Sequence, residues 1–491
     1  MHRTRLLPFL AGALALAACS ADRPELVAPT SPPRVSANIG GTVNGRFLVL
    51  AGTGGFTSDF ASRVAALGGS VENQHAASGL AVVSGLGADA AQQLVGTGGV
   101  SSVGADIDVA LDSPLAAADA DASDVVADAT IASQGNPAAA VLYARQWNMR
   151  LIGADRAWAA GKLGDPGVTV AILDTGLDYD IRELNGLVDL SRSTSFVPSD
   201  DAIATAYFPS RHKVTDFHGH GTNVAEQVSS NSLIFAGVTS KTTLIGVKVL
   251  GRTGGGSLGG ILNGILWAAD HGADVANLSL GGGFAKADSG RFVAMINRVF
   301  NYANAKGVLI VVAAGNDAAD LDHNTNYSSN FCDQPHVICV TAVGPTTYAG
   351  SWDTPAYYTN YGRSSSDVAA PGGNANFDAN GNPVLSAWPW GTDFRSWVWS
   401  FCSKTLITTF TSAGAPVTPC AAGNRITAFI GTSQATPHVA GLAALLVAAQ
   451  GHGHPSQIKA AIQQSAFDGG QVGDDPYFGK GRIDVAKALG L

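Results

Sequence analysis

Residues 431–441 read GTSQATPHVAG. A serine stands where a Gly-Thr turn enters an apolar helix, and a proline follows four residues later. Taken alone, Ser433 is a helix cap or a loop hydroxyl. It becomes more than that only if the chain also supplies a base, a carboxylate and a donor for an anion. The stretch that follows, HVAGLAALLVAAQG at 438–451, is apolar nearly all round and predicts a helix buried in a core. IKAAIQQSAF at 458–467 predicts a last surface helix.

Upstream, VTVAILD at 168–174, TTLIGVKVL at 242–250, DVANLSL at 274–280 and GVLIVVAAGN at 307–316 are continuous apolar runs. GSLGGILNGILWAADHG at 256–272 reads as a helix between two of them. Such strands alternating with helices predict an α/β fold, a mostly parallel sheet sandwiched by helices. Reactive groups in such sheets gather beyond the carboxyl ends of the strands, where Asp174, Ser279 and Asn316 fall.

The 491 residues suffice for a large core. Charged residues are only 14% and the net charge is −9, which argues against nucleic acid as a partner. Residues 20–143 carry 12 acids and 4 bases, whereas 144–491 carry 26 and 23, so two units of different composition meet near 140. The N-terminus joins basic MHRTR to apolar LLPFLAGALALAA and then Cys19, the pattern of an export signal over residues 1–18. Leu-Ala-Ala-Cys resembles the bacterial lipoprotein box. It implies lipidation of Cys19, a lipid bilayer as partner, and an outer-membrane, periplasmic, cell-surface or processed and secreted location. The remaining Cys332, Cys339, Cys402 and Cys420 are an even set in an exported chain and predict disulfides. Three pairings exist, and the short separations favour Cys332–Cys339 with Cys402–Cys420.

Residues 19–43 read as a Pro/Ser/Ala-rich tether. Between 44 and 111 the pattern is β-α-β-β-α-β, a small α+β, ferredoxin-like arrangement. Residues 112–145 begin with an Ala/Asp-rich stretch without a packing face and predict a linker open to cleavage.

Four short stretches carry the chemistry. ILDTG sets Asp174 at a strand end, and HGHGTNVAE at 218–226 offers two histidines flanked by glycines that let backbone approach closely. VVAAGN ends in Asn316, and GTS places Ser433 at a helix start. Each alone has an ordinary reading as a turn residue, a surface pair or a cap. Their order, Asp, His, Asn, Ser, with these surroundings resembles the subtilisin-like serine proteases, from about Gln146 to Leu491. The α/β-hydrolase elbow needs Gly-x-Ser-x-Gly, which 431–435 fails, and a chymotrypsin-like order would put His before Asp.

The resemblance implies a serine endopeptidase acting on extended polypeptides, with Asp174, His220 and Ser433 as the triad. His220 is chosen over His218 because it directly precedes Gly221-Thr222. It implies Asn316 and the Ser433 N–H as oxyanion donors. Ser279, Leu280 and Gly281 would pair with substrate backbone, opposite Ala313, Ala314 and Gly315 at a roomy, apolar first pocket. Residues 44–111 resemble the family's inhibitory propeptide, making the protein a zymogen with its own propeptide as a partner. No cofactor is required. A structural calcium ion is compatible with the resemblance, the acids at 178, 180 and 183 lying near a position relatives use, although no dense oxygen-ligand loop is present.

Four positions depart from the family pattern: Asn223 and Glu226 where His and Gly are common, Gln434 where Met often follows the nucleophile, and Asp180 in DTGLDYDIREL, where a His before Asp-Leu is usual. An insertion at about 373–428 holds Trp388, Trp390, Trp397 and Trp399 beside Cys402 and Cys420. It reads as a satellite core or as a disulfide-tied flap over the cleft. The alternative to an enzyme is an inactive protease-like binding or inhibitory module, with the departures as marks of decay.

Overall fold

The computed structural model describes residues 42–111, 117–123, 133–281, 283–285, 289–323, 327–329, 331–346, 350–377, 380, 383–384 and 396–491. The export signal, Cys19, nearly all of the tether, Trp388 and Trp390 lie outside the described residues, as do 112–116 and 124–132 of the linker. Among the described residues no helix is long and apolar enough to cross a membrane.

Residues 42–111 run β1 (Thr42–Ala51), α1 (Phe60–Ala66), β2 (Ser70–His75), β3 (Leu80–Ser84), α2 (Ala88–Gln92), β4 (Val100–Ala110). The strands pair antiparallel in the order β2-β3-β1-β4. Alternation divides β1 between two cores: Phe47 and Val49 pack with Phe60, Val64 and Leu94, while Leu48 and Leu50 face the larger unit. Farther on, within the expected linker, residues Ala117–Asp121 form the strand β5. Main-chain pairing needs no apolar period, so an Ala/Asp sequence can occupy a free strand edge without showing it in composition.

The central sheet contains β6 (Thr169–Asp174), β7 (Thr194–Ser195), β8 (Thr243–Lys248), β10 (Val275–Leu278), β11 (Leu309–Ala313), β12 (Val337–Val343) and β13 (Val368–Pro371). All its pairs are parallel, in the order β13-β12-β11-β10-β6-β8-β7. This is the expected α/β sandwich. Residues of β6 alternate between the two faces: Val170 and Ile172 enter one core, Ala171 and Leu173 the other. The first face is covered by α3 (His220–Val228) and α6 (Thr432–Gln450), the second by α4 (Leu258–Asp270) and α5 (Ser289–Ala305), onto which β1 and β3 pack. Strand β9 (Gly255–Ser257) leads into α4 and pairs antiparallel with the end of β4.

In the insertion, β14 (Val398–Phe401) pairs antiparallel with β15 (Arg425–Phe429), whose other edge takes β5. Both expected disulfides are present, Cys332–Cys339 and Cys402–Cys420. The two described insertion tryptophans do not build a satellite core. Trp397 and Trp399 join Val439 and Leu442 of α6 in the main core, because β14 lies against the helices rather than out in solvent.

Candidate active site

Asp174 closes β6 and is fully buried. Its Oδ1 accepts the Thr175 N–H at 2.7 Å and lies 2.8 Å from Nδ1 of His220. A carboxylate only accepts, so Nδ1 carries the proton and Nε2 is left as the basic nitrogen. The two motifs interlock through glycine. A Cβ on Gly221 would stand 2.2 Å from the carbonyl oxygen of Gly176, and Gly176 itself has φ of +112°. That close approach brings the Gly221 N–H to the Thr175 hydroxyl at 2.9 Å.

Asp216 organises this corner. Its Oδ1 accepts from the Thr175 hydroxyl and the N–H groups of His218 and Gly219, each at 2.9 Å. Its Oδ2 accepts from the Thr222 N–H at 2.9 Å and its hydroxyl at 2.6 Å. A signal existed: an acid four residues before the histidine, with threonine following both Asp174 and Gly221. His218 does not reach Asp174. Burial, and then its neighbour His220, hold its basicity below the ordinary value.

Gly431 precedes α6, and no side chain caps the helix. Ser433 therefore lies inside the first turn and is not the cap. Its hydroxyl donates to the carbonyl oxygen of Ser279 at 3.0 Å, and the Ser279 hydroxyl donates to the Ser433 carbonyl at 2.7 Å. Pro437 explains the second bond. Lacking an N–H, it leaves the carbonyl four residues back without its helical partner, and Ser279 supplies one. The Ser433 hydroxyl is thus engaged with Ser279 in this state. Ser279, Leu280 and Gly281, all buried, follow directly after β10.

Ala313 ends β11, and Ala314-Gly315-Asn316 continue from it. Oδ1 of Asn316 accepts the Thr432 N–H at 2.9 Å and its hydroxyl at 3.0 Å, while the Gly315 N–H donates to that hydroxyl at 3.0 Å. With Oδ1 engaged, the carboxamide is fixed and Nδ2 is its remaining polar group, a donor. Asn360 braces the same turn: its Nδ2 donates to the Ala314 carbonyl and its Oδ1 accepts from the N–H groups of Asp317 and Ala319, each at 2.9 Å. Sequence gave no pointer to Asn360.

Three chain segments separated by many residues thus meet at the carboxyl ends of adjacent parallel strands. Residues 165–481 match the profile of the Subtilase family. The chain is a subtilase. It is a serine-type endopeptidase, as its relatives are. This subtilase is 30% identical to alkaline elastase YaB of Bacillus sp. (strain YaB), covering 70% of this chain and 69% of the relative. It is 32% identical to thermitase of Thermoactinomyces vulgaris, over 70% of this chain and 96% of thermitase. Among solved structures, its fold matches the epidermin leader peptide processing serine protease EpiP of Staphylococcus aureus with a TM-score of 0.66 at 21% identity, covering 91% and 98% of the two chains. Fervidolysin of Fervidobacterium pennivorans gives 0.64 at 21%, over 94% and 65%.

The acids named for calcium are bound by protein donors in this subtilase. Arg211 bridges Asp178 and Asp180. Glu183 takes the Ser230 hydroxyl and the N–H groups of Leu233, Ile234 and Phe235. Among the described residues, no three His, Cys, Asp or Glu side chains gather as a metal site.

Proposed function

We propose that Ser433 attacks the peptide carbonyl, His220 is its base and Asp174 holds the imidazole. The carrying observation is the 2.8 Å Asp174–His220 contact at α3, a helix joined through Asn223 and Gln434 to the residue after Ser433. On attack the hydroxyl turns from the Ser279 carbonyl to Nε2 of His220, gives up its proton there and bonds to the carbonyl carbon. Nε2 then returns the proton to the leaving amine as the C–N bond breaks, leaving an acyl-enzyme. Water deacylates it by the same route. Nδ2 of Asn316 and the Ser433 N–H stabilise the oxyanion, where loss of one side-chain donor costs about 100- to 1000-fold in kcat, a scale known from a subtilisin.

Ser279, Leu280 and Gly281 pair with an extended substrate backbone, and the small Ala313-Ala314-Gly315 wall leaves room for an apolar side chain. Main-chain recognition gives broad specificity.

The precursor is a zymogen in which residues 44–111 block the cleft. One pairing of this segment supports this, Asp108–Ala110 lying antiparallel to Gly255–Ser257, and the chain just beyond it continues as β5 along β15, the strand that leads to Ser433. Asp106 also accepts the Gly259 N–H at 2.8 Å in the first turn of α4. Self-cleavage falls within 112–145, and export with lipidation at Cys19 anchors the precursor. A structural calcium ion at the acids 178–183 requires Arg211 to move aside.

A fluorophosphonate tests the catalytic reading. It should label Ser433 and abolish casein hydrolysis, and Ser433→Ala should stay full length and inactive. Hydrolysis persisting in pure Ser433→Ala would overturn it.

A further inference from the structure

Three of the departures from the family pattern are not scattered. Asn223, Glu226 and Gln434 are all buried; the first two bind β14 of the insertion, and Gln434 binds Asn223. Nδ2 of Asn223 donates to the Ser400 hydroxyl at 2.8 Å and the Val398 carbonyl at 3.2 Å. Both oxygens of Glu226 accept the Phe401 N–H, at 3.0 and 3.1 Å. Gln227 donates to the Trp399 carbonyl at 3.1 Å. Three polar side chains of α3 thereby satisfy backbone groups of a buried strand that β15, on its other edge, does not cover.

The same residues close a ring between the two helices. Nε2 of Gln434 donates to Oδ1 of Asn223 at 3.2 Å. Gln227 donates to the Asn223 carbonyl at 3.4 Å and accepts from Asn148 at 3.0 Å. Asn148 also donates to Nε2 of His438 at 2.9 Å, and Nδ1 of His438 donates to the Gln434 carbonyl at 2.8 Å. Burial lowers His438 to about 4, so the ring is neutral and can accept on one side while donating on the other.

We propose that Asn223 and Gln434 are a positioning pair. Their hydrogen bond ties the helix that His220 opens to the residue following Ser433, and β14 holds Asn223 in the orientation that accepts it. The pair acts through His220 and Ser433 and touches neither substrate nor the reacting atoms. The inference rests on the proposed roles of His220 and Ser433. In a buried ring every donor lost leaves an orphan, so the ring resists drift of one helix against the other. The insertion is then a brace for the catalytic geometry, not a separate module.

The test is a double-variant cycle on the full chain with Gln434→Met, Asn223→Leu and both together, chosen to keep side-chain volume. Active sites are counted with a fluorophosphonate, and kcat is expressed per titrated site, so that unfolded or unprocessed chains do not enter. Each single variant should lower kcat about tenfold, with KM held within about twofold, since small misplacements of reacting groups cost rate and not binding. The double variant should fall no further than the worse single. Unchanged kcat per site in Gln434→Met, or losses that multiply in the double variant, overturns the pairing. Ser433→Ala and His220→Ala probe the underlying reading separately. Retained activity in either removes that reading, and the pairing falls with it.

Discussion

Ser279 and Ser433 each give a hydroxyl to the other's carbonyl oxygen, at 2.7 and 3.0 Å. One of these bonds exists because Pro437, four residues beyond Ser433, has no N–H to offer. The relationship joins the end of β10 to the first turn of α6 without any charged group.

Ser279→Ala should therefore leave the buried Ser433 carbonyl unpaired and cost about 1–3 kcal/mol of unfolding free energy. Adding Pro437→Ala restores an N–H to that carbonyl, so the double variant should be more stable than the sum of the singles. Denaturant midpoints read both. Strict additivity would mean that another donor serves the carbonyl.

Glu226 gives a pH dependence of known sign. Burial first, and then the nearby Glu183, push its carboxyl well above the ordinary value of 4.5. The folded chain keeps this proton after the unfolded chain has released it. Stability contributed here is complete below 4.5 and declines as pH rises toward the folded value. Glu226→Gln keeps an acceptor for the Phe401 N–H and removes the titration. It should match the parent in acid and exceed it increasingly toward neutral pH. A stability gap that is constant with pH would contradict this.

The two disulfides should differ in worth. Cys402–Cys420 spans 18 residues and Cys332–Cys339 spans 7. Chain entropy gives about 3 kcal/mol for the first and about 2 for the second. Paired Cys→Ser variants followed by thermal unfolding measure the two. The Cys402–Cys420 variant should also lose kcat, because Cys402 directly follows β14. Equal activity with lowered stability would place the insertion outside the catalytic geometry.

Asp106 should govern how long the N-terminal segment stays in place. It is buried, pairs with Arg46 at 3.1 Å and accepts the Gly259 N–H. Asp106→Ala removes an acceptor from the first turn of α4 and should hasten disappearance of the 44–111 fragment in a maturation time course. A fragment that persists as long as in the parent would show that the β4–β9 pairing alone retains it.

Much of this protein was legible in its sequence. The parallel sheet announced itself because strands covered on both faces must be apolar throughout, as in TVAILD. Asp174 and His220 were recognisable because the glycines beside them are demanded by the 2.2 Å approach of one motif to the other. Cysteine spacing favoured the pairing that the fold adopts.

Tertiary structure alone decided the rest. Asp216 and Asn360 act through hydrogen bonds to backbone groups that are adjacent only after folding, and a single Asp or Asn carries no period to reveal that. Residues 117–121 became a strand through main-chain pairing, to which an Ala/Asp composition is indifferent. The polar residues at 223, 226 and 434 looked like departures from a pattern. Their meaning lay in β14, a buried strand distant in sequence, which Asn223 and Glu226 bind while Gln434 holds Asn223. Apolar burial is written locally, residue by residue, whereas the partner of a buried polar group is chosen by the fold.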